Sequence, residues 1–371
     1  MKIGFILNPI AGMGGTVALK GTDGTYILEK ALEKGAKPVS PQRALSALLR
    51  LAHLKEQFEI ITPEGCMGEA VLKKTGLHFN LLNDFEPAVK TSSHDTQTAV
   101  QRLKNLKIDL LIFAGGDGTA GDICKVFDSD IPVIGIPSGV KMHSAVFGIN
   151  PERTGDLIGA FIQKQAMEIK NVEIMDMDEP LLRKGLVSTT LSGYLKAPFK
   201  LSYTQNSKSG SSPSDKTCQD AIARQIFLNI KKGMPYLIGP GTTLNQLKEL
   251  IGFKGTLLGF DLVINKMLVK KDLMEKDIFD IVKTQETCLV LTPVGGQGYV
   301  LGRGNQQISP RVLHHIKKEN LIIGATCRKL ASFEGRPLLV DTGCQKTNGQ
   351  LKGYIKVITG MDETMVIKID A

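Results

Sequence analysis

The sequence contains no tryptophan and only six tyrosines in 371 residues. Proteins that hold single-stranded nucleic acid combine a basic groove with aromatic side chains on which the bases stack. The net charge of +9 suits anionic ligands, but the lysines and arginines are dispersed along the chain and form no basic stripe. We therefore expect small anionic partners such as nucleotide substrates, and no nucleic acid.

Disulfide and membrane signals are also missing. The six cysteines form no CxxC pair, which is typical of reduced thiols in a cytosolic protein. No apolar run approaches the length of about 18 residues that a membrane helix needs, and a strand pattern begins at residue 2 without a basic and apolar leader. We expect a cytoplasmic protein with no membrane partner. The sequence also lacks the Walker A pattern GxxxxGK[ST], which excludes an ordinary P-loop kinase.

Glycine, by contrast, is abundant, and the 39 glycines cluster at the ends of predicted strands. Strand and helix patterns alternate through residue 136, which predicts a doubly wound parallel α/β sheet that binds ligands beyond the carboxyl ends of its strands. Strand patterns dominate after residue 165. We predict an N-terminal α/β domain over 1–164 and a C-terminal mixed α/β domain with added strands over 165–371. The polar stretch 205–216 predicts a mobile loop within the second domain.

The chain is organised around residues 108–121. Ile, Leu and Phe without alternation over 108–114 predict a strand buried on both faces. Glycines after this strand permit a tight turn and close approach to a ligand, and a threonine is expected to cap the next helix. The turn contains Gly115, Gly116, Asp117, Gly118 and Thr119.

Asp117 is the chemical candidate in this turn. Its glycine neighbours predict an exposed side chain, which would repel phosphate unless it binds Mg²⁺ or takes a proton from a hydroxyl. The alternative is a solvated Asp-Gly turn that only joins strand to helix.

The GGDGT sequence after a hydrophobic strand resembles the phosphate-transfer motif of NAD kinases, of diacylglycerol and sphingosine kinases and, more distantly, of phosphofructokinases. Residues 2–15, KIGFILNPIAGMGG, resemble the opening strand and glycine-rich turn of that superfamily, and residues 135–141, GIPSGVK, resemble its substrate loop. The chain is most similar to an ATP-NAD kinase-like group with archaeal-type and acetoin-catabolism-associated members. GPGTT at 239–243 and the stretches GGQG and GRGNQQ within 295–307 are also similar to that group.

This resemblance implies a kinase-like N-terminal domain and an ATP- or polyphosphate-dependent phosphorylation of a hydroxyl on NAD or a related nucleotide. Mg²⁺ would be the cofactor, and Asp117 the base linked to it. We expect a homo-oligomer. The predicted phosphate- and nucleotide-binding residues are Asn8, Gly12, Gly14, Gly15, Gly115, Gly116, Gly118, Thr119, Ser138, Gly139, Lys141, Gly239, Gly241, Thr242, Thr243, Gly296, Arg303 and Asn305.

Two of these predictions also follow from local chemistry. GPGTT lies between a predicted strand and a predicted helix, where backbone amides and two hydroxyls can hold a phosphate or ribose, although such a turn can also merely join two elements. Arg303 lies among glycines and could fork onto two phosphate oxygens, or could be an exposed arginine on a flexible loop. We expect the loops 239–243 and 295–304 to face the GGDGT loop across one cleft.

The sequence departs from the NAD kinase pattern in one respect that matters for the acceptor. NAD kinases carry an Asn-Glu pair in their second half, and this dipeptide occurs nowhere in the chain. A lipid or other small-alcohol kinase is therefore an alternative, although no amphipathic basic helix is evident. A non-catalytic nucleotide-binding regulator is the second alternative, and it leaves the acidic Asp117 unexplained.

Overall fold

The computed structural model describes residues 1–19, 25–140, 142–177, 189–200, 204, 215–256 and 259–371. The chain forms two compact units, one of residues 1–13 and 21–207 and one of residues 14–20 and 208–371. Lys141 and residues 205–214 of the predicted mobile loop lie outside the described residues.

The first unit is built on a five-stranded parallel sheet with the strand order β3-β2-β1-β4-β5. Its strands are β1 Lys2–Leu7, β2 Glu59–Thr62, β3 Phe79–Leu81, β4 Leu110–Gly115 and β5 Val133–Pro137. Its helices are α1 Thr25–Glu33, α2 Ser40–Leu49, α3 Glu69–Leu72, α4 Ser93–Asn105, α5 Asp117–Val126 and α6 Pro151–Ile162, with 3-10 turns at Ala52–Gln57 and Gly65–Met67.

Apolar layers cover both faces of this sheet. Every residue of β4 is buried, and alternate side chains join opposite layers. Ile112 packs in the layer that contains Leu48 of α2, whereas Phe113 packs in the layer that contains Ile123 of α5. The doubly wound parallel sheet predicted from the sequence is confirmed. In this strand order the direction of winding reverses between β1 and β4, where such sheets bind ligands.

A long antiparallel hairpin completes the described part of the first unit. It consists of β6 Glu168–Met177 and β7 Thr189–Phe199. Ile174 and Leu195 of the hairpin belong to the same apolar layer as Ile123 of α5. The hairpin therefore packs within the first unit, whereas the boundary predicted after residue 164 assigned it to the second domain.

The second unit contains a nine-stranded mixed sheet. Its strands are β8 Pro235–Ile238, β9 Phe260–Ile264, β10 Met267–Leu273, β11 Cys288–Leu291, β12 Tyr299–Leu301, β13 Leu321–Gly324, β14 Leu338–Val340, β15 Gly353–Gly360 and β16 Glu363–Asp370. They lie in the order β10-β9-β8-β11-β13-β15-β16-β14-β12, and β8, β11, β13 and β15 are mutually parallel. The helices are α7 Lys216–Leu228, α8 Thr242–Ile251, α9 Glu275–Val282, α10 Pro310–Leu313, α11 Cys327–Ala331 and α12 Gln345–Leu351, with a 3-10 turn at Lys318–Asn320.

A buried ion pair joins α8 to β9 in this unit. Lys248 Nζ lies 2.9 Å from Asp261 Oδ2, and both side chains are fully buried. Lys248 also donates to the carbonyl oxygen of Thr256 at 3.1 Å, and Asp261 accepts from the amide and hydroxyl of the same residue. Burial lowers the pKa of Lys248 even with the carboxylate beside it. These bonds fix the helix that follows the GPGTT loop.

Residues 14–19 belong to the second unit although they follow β1 in the sequence. The carbonyl oxygen of Thr16 accepts a hydrogen bond from the amide of Glu275 at 3.0 Å. A Cβ atom on Gly15 would lie 3.0 Å from Cβ of Gln306. In the described part of the chain, no helix combines the length and the hydropathy needed to cross a lipid bilayer.

Candidate active site

Three loops of the first unit meet at the carboxyl ends of β1, β4 and β5. The amide of Ser138, just after β5, donates to the carbonyl oxygen of Gly115 at 2.9 Å, and the amide of Gly139 donates to the same oxygen at 3.2 Å. A Cβ atom on Gly116 would lie only 3.0 Å from Cα of Gly139. The GGDGT loop and the Pro-Ser-Gly loop are thus packed backbone against backbone, which glycine permits.

The loop that follows β1 contacts both of the other loops. Asn8 donates its side-chain amide to the Thr119 hydroxyl at 2.9 Å, and its side-chain oxygen accepts from the amide of Ile10 at 3.2 Å. Gly12 has a φ of +81°, and a Cβ atom there would overlap the carbonyl oxygen of Ser138. The predicted residues Asn8, Gly12, Ser138 and Thr119 therefore lie together at the point where the winding of the sheet reverses.

Asp117 is the first residue of α5, and the prediction that it is exposed is wrong. The helix begins at Asp117 with Gly116 as its N-cap, so Thr119 lies inside the first turn and does not cap the helix. Only 7% of Asp117 is exposed. The helix can begin here because the glycine-rich sequence allows the strand to turn directly into it, and this carries the carboxylate inward.

The partners of the carboxylate come from a later part of the chain. Asp117 Oδ2 accepts from the backbone amide of His143 at 2.6 Å, and Oδ1 accepts from the amide of Ser144 at 3.0 Å and from its hydroxyl at 2.6 Å. The segment 142–147 runs beside β5, where the amide of Gly135 donates to the carbonyl oxygen of Val146 at 3.0 Å. Two successive amides and a hydroxyl are thereby fixed on one carboxylate.

The pKa of Asp117 reflects two opposing effects. The net pKa is raised from 3.8 to about 6; burial is the largest cause, and the nearby carboxylate of Asp176 adds to the rise. Hydrogen bonds from Ser144 and His143 lower the pKa, because they favour the charged form. Burial prevails, so the group is a carboxylate at neutral pH but a stronger base than an ordinary aspartate. Such a group can accept a proton from a hydroxyl that lies beside it.

A magnesium site is not preformed by the described residues. Among them, no cluster of three or more His, Cys, Asp or Glu side chains has metal-binding geometry. Mg²⁺ is commonly held by one or two carboxylates together with substrate phosphates and water. Asp117 already accepts three hydrogen bonds, so it could offer such an ion one bond at most.

Of the predicted loops of the second unit, 239–243 follows β8, whereas 295–304 is not a single loop because β12 Tyr299–Leu301 lies within it. GPGTT leads into α8, which begins at Thr242, and Gly241 precedes it with a φ of +122°. A Cβ atom on Gly241 would overlap the Thr292 side chain, which follows β11. Thr243 is fully buried, and its hydroxyl has no hydrogen-bond partner among the described residues. Gly239, at the start of this loop, donates its amide to the carbonyl oxygen of Val290 at 2.9 Å.

Lys329, which was not predicted from the sequence, lies at the same edge of the second sheet as the GPGTT loop. Lys329 Nζ donates to the Thr292 hydroxyl at 3.1 Å. Lys329 belongs to α11, a short helix capped by Thr326 just after β13. Because β8, β11 and β13 are parallel, the residues after these strands lie at one edge of the sheet. No glycine-rich motif marks Lys329, so the sequence carried no signal for it.

Arg303 and Asn305 are engaged within their own unit. Arg303 is 5% exposed, lies 3.6 Å from Asp341 Oδ2 and stacks 4.7 Å from the ring of Tyr299. Asn305 accepts from the amide of Gly302 at 2.7 Å and donates to the carbonyl oxygen of Val300 at 2.8 Å. A phosphate at Arg303 would have to compete with the Asp341 carboxylate. Gly296 has a positive φ of +75° in the preceding turn.

The structure thus groups the predicted residues by unit. Asn8, Gly12 and the residues of the GGDGT and Pro-Ser-Gly loops lie together in the first unit, whereas Gly14 and Gly15 belong to the second. Lys141 lies outside the described residues. His143 and Ser144 were not predicted from the sequence, although a polar pair between the apolar Met142 and Val146, a few residues after the Pro-Ser-Gly motif, was a usable signal. That all the loops face one cleft stays a prediction.

Two family models match the chain. Residues 3–166 match the ATP-NAD kinase N-terminal domain, and residues 232–369 match the ATP-NAD kinase C-terminal domain. Together the matches cover most of the chain. A search of curated proteins and a search of solved structures each returned no match.

Proposed function

Because the chain belongs to the ATP-NAD kinase family, we propose that it transfers a phosphoryl group from ATP or polyphosphate to a hydroxyl of NAD or a related nucleotide. The observation that carries this proposal is the buried Asp117 carboxylate, whose pKa is raised to about 6, among three glycine-containing loops at the carboxyl edge of the sheet. Membership of the archaeal-type or acetoin-associated group stays a prediction.

The proposed chemistry uses Asp117 as a general base. The carboxylate accepts the proton of the acceptor hydroxyl while the hydroxyl oxygen forms a bond to the terminal phosphorus of the donor. The bond from that phosphorus to the bridging oxygen breaks, and a shortened donor leaves with the electron pair. Proton acceptance by a positioned group contributes about 10²- to 10⁴-fold to such rates.

The loops of the first unit would hold the donor phosphates. Backbone amides around Gly12 and Gly116 and the Thr119 hydroxyl are suited to this role, since amides and hydroxyls replace the hydration of phosphate oxygens. The amide of Gly139 already donates to the carbonyl oxygen of Gly115. Mg²⁺ bound with the donor would neutralise phosphate charge. The described residues offer no group of three or more ligating side chains for the ion, so we expect it to arrive with the phosphates.

We propose a second phosphate or ribose subsite at the start of α8, within the second unit. Three features support it: a helix start whose N-cap residue, Gly241, has no side chain to cap it, a buried Thr243 hydroxyl without a partner in the described part of the chain, and the ammonium group of Lys329 at the same edge. A helix start of this kind favours anions. Arg303 and Asn305 stay candidates for the same ligand, although their described bonds support the loop itself.

Assays of phosphate transfer test the proposed function. The protein is incubated with labelled ATP, or with polyphosphate, Mg²⁺ and one acceptor at a time: NAD, other nucleotides, diacylglycerol in vesicles, or small alcohols. We expect label on NAD or a related nucleotide, and incorporation at least about 10²-fold slower when Asp117→Asn replaces the wild type. Label on the lipid or on a small alcohol would favour the alternative kinase. Nucleotide binding without transfer to any acceptor would favour a regulator, and would overturn the proposal.

A further inference from the structure

The two oxygens of Asp117 are not equivalent. An ionised carboxylate oxygen offers two lone-pair sites. Oδ1 accepts from both the amide and the hydroxyl of Ser144, at 3.0 and 2.6 Å, whereas Oδ2 accepts, from the described residues, the amide of His143 alone, at 2.6 Å. Within the described residues, Oδ1 is therefore saturated and Oδ2 keeps one site.

Strand β6 fixes the direction of the Ser144 hydroxyl. Ser144 Oγ accepts a hydrogen bond from the amide of Met175 at 3.0 Å, and the carbonyl oxygen of Met175 lies farther away, at 3.3 Å. A hydroxyl has a single hydrogen. The 2.6 Å distance to Asp117 is typical of a hydrogen bond to a charged oxygen, so this hydrogen is given to the carboxylate. Ser144 is fully buried, and water does not compete for it.

The protonation of Asp117 depends on this bond. Burial raises the pKa of the carboxyl, and the Ser144 hydroxyl is the largest of the effects that lower it. Without that donor, the pKa would rise further and the group would hold a proton through more of the neutral range. A protonated Asp117 cannot serve as a base.

We propose that Ser144 is a positioning residue that saturates Asp117 Oδ1 and orients the carboxylate so that Oδ2 receives the proton of the acceptor hydroxyl. The proposal deepens the proposed function and rests on it. It assigns the direction of approach: the acceptor hydroxyl comes to Oδ2, on the side of the carboxylate away from Ser144.

The test uses Ser144→Ala, Ser144→Cys and a matched control, Thr75→Val. Thr75 is also a buried hydroxyl that donates to a carbonyl and accepts from an amide, at 2.7 and 3.2 Å, but it lies after α3 and has no bond to Asp117. Each protein is titrated by thermal unfolding between pH 4 and 8, with Asp117→Asn subtracted to isolate the aspartate. The pH profile of kcat/KM is measured with the acceptor that the wild type phosphorylates.

We expect the Asp117 titration and the acid limb of the rate profile to move upward together by about one pH unit in Ser144→Ala, the change given by loss of one hydrogen bond to a charged group. Ser144→Cys, with a weaker donor, should shift both by less, and Thr75→Val should shift neither. If Ser144→Ala unfolds, the cysteine variant carries the test.

The outcomes separate this inference from the proposed function. An unshifted titration in both Ser144 variants would overturn the inference even if the wild type is an active kinase. A slower rate with an unshifted acid limb would also overturn it, because it would indicate a merely structural role. If the wild type phosphorylates nothing, the proposed function fails. A shifted titration in that case still supports the conclusion that the Ser144 hydroxyl lowers the pKa of Asp117.

Discussion

The side-chain amide of Asn8 and the hydroxyl of Thr119 are joined by a 2.9 Å hydrogen bond that connects the end of β1 to the first turn of α5. The residues are 111 positions apart in the sequence. The bond spans the two strands between which the winding of the sheet reverses, so it holds together the two sides of the crevice where a ligand is expected.

Replacement of this amide should loosen the crevice. In Asn8→Ala both the bond to Thr119 and the bond from Ile10 are lost, and we expect the free energy of unfolding to fall by about 1–2 kcal/mol. Nucleotide affinity should fall about tenfold, since the two loops are no longer preorganised. Calorimetry and chemical denaturation provide the measurements. The control is Asn80→Ala, which removes an exposed amide bonded to Glu59 and should change neither; equal effects in the two variants would contradict the role of Asn8.

Asp117→Asn should reduce the rate of phosphoryl transfer by about 10²-fold or more, because the neutral amide cannot accept the hydroxyl proton. Nucleotide affinity should change much less, since the loops that hold the phosphates stay in place. Because Asp117 is buried, this replacement is not a surface change. The NH₂ group of the new asparagine would face an N–H donor of His143 or Ser144, and two donors cannot form a hydrogen bond. Steady-state rates and binding isotherms test the prediction, and a near-normal rate in a folded variant would refute it.

Asp117 should also make stability depend on pH. The pKa of the folded group is about 6 against an ordinary value of 3.8, so the folded state binds the proton more tightly than the unfolded state. The stabilisation by the protonated group is therefore complete below about pH 4 and lost as the pH rises to about 6. We expect the difference in unfolding free energy between wild type and Asp117→Asn to decrease by roughly 3 kcal/mol over this interval. Urea denaturation at several pH values measures it, and a difference independent of pH would show that the pKa is ordinary.

The buried pair Lys248 and Asp261 should be essential to the second unit. Lys248→Met leaves the Asp261 carboxylate buried without its cation, and we expect a loss of about 3–5 kcal/mol in unfolding free energy. The matched control is Lys270→Met, since Lys270 forms a 2.8 Å pair with Asp277 while its side chain is 54% exposed. Exposed pairs contribute about 0–1 kcal/mol. Comparable losses in the two variants would show that burial does not determine the strength of this pair.

Thr243→Val tests the subsite proposed at the start of α8. The valine keeps the shape of threonine and removes a buried hydroxyl that has no partner within the described ranges, so stability should stay unchanged or rise by about 1 kcal/mol. Nucleotide affinity should nevertheless fall severalfold if the hydroxyl meets the ligand. Thr287→Val is the control, because that buried hydroxyl already donates to Gln285 at 3.0 Å, and its loss should lower stability without affecting binding. Unchanged nucleotide affinity in Thr243→Val would remove Thr243 from the site.

The sequence was sufficient for the first sheet and for the strand-to-helix loops, because apolar periodicity and glycine placement are local signals. It was not sufficient for the environment of Asp117. The donors to its carboxylate lie 26 and 27 residues later in the chain, and a local pattern of glycines suggested exposure. The same limit applies to Arg303, whose partner Asp341 is contributed by another loop, and to Gly15, which packs with Gln306 in the second unit. Contacts between distant positions decided these three environments.

The placement of residues 14–19 in the second unit has a consequence for synthesis on the ribosome. This segment is made almost first, yet Glu275 and Gln306, which it contacts, are made much later. During translation the segment therefore lacks these contacts while the first unit, which includes the chain on both sides of it, is synthesised. A fragment that ends after the first unit would keep these residues without their partners, so a stable truncation requires that they be shortened or replaced by a neutral linker.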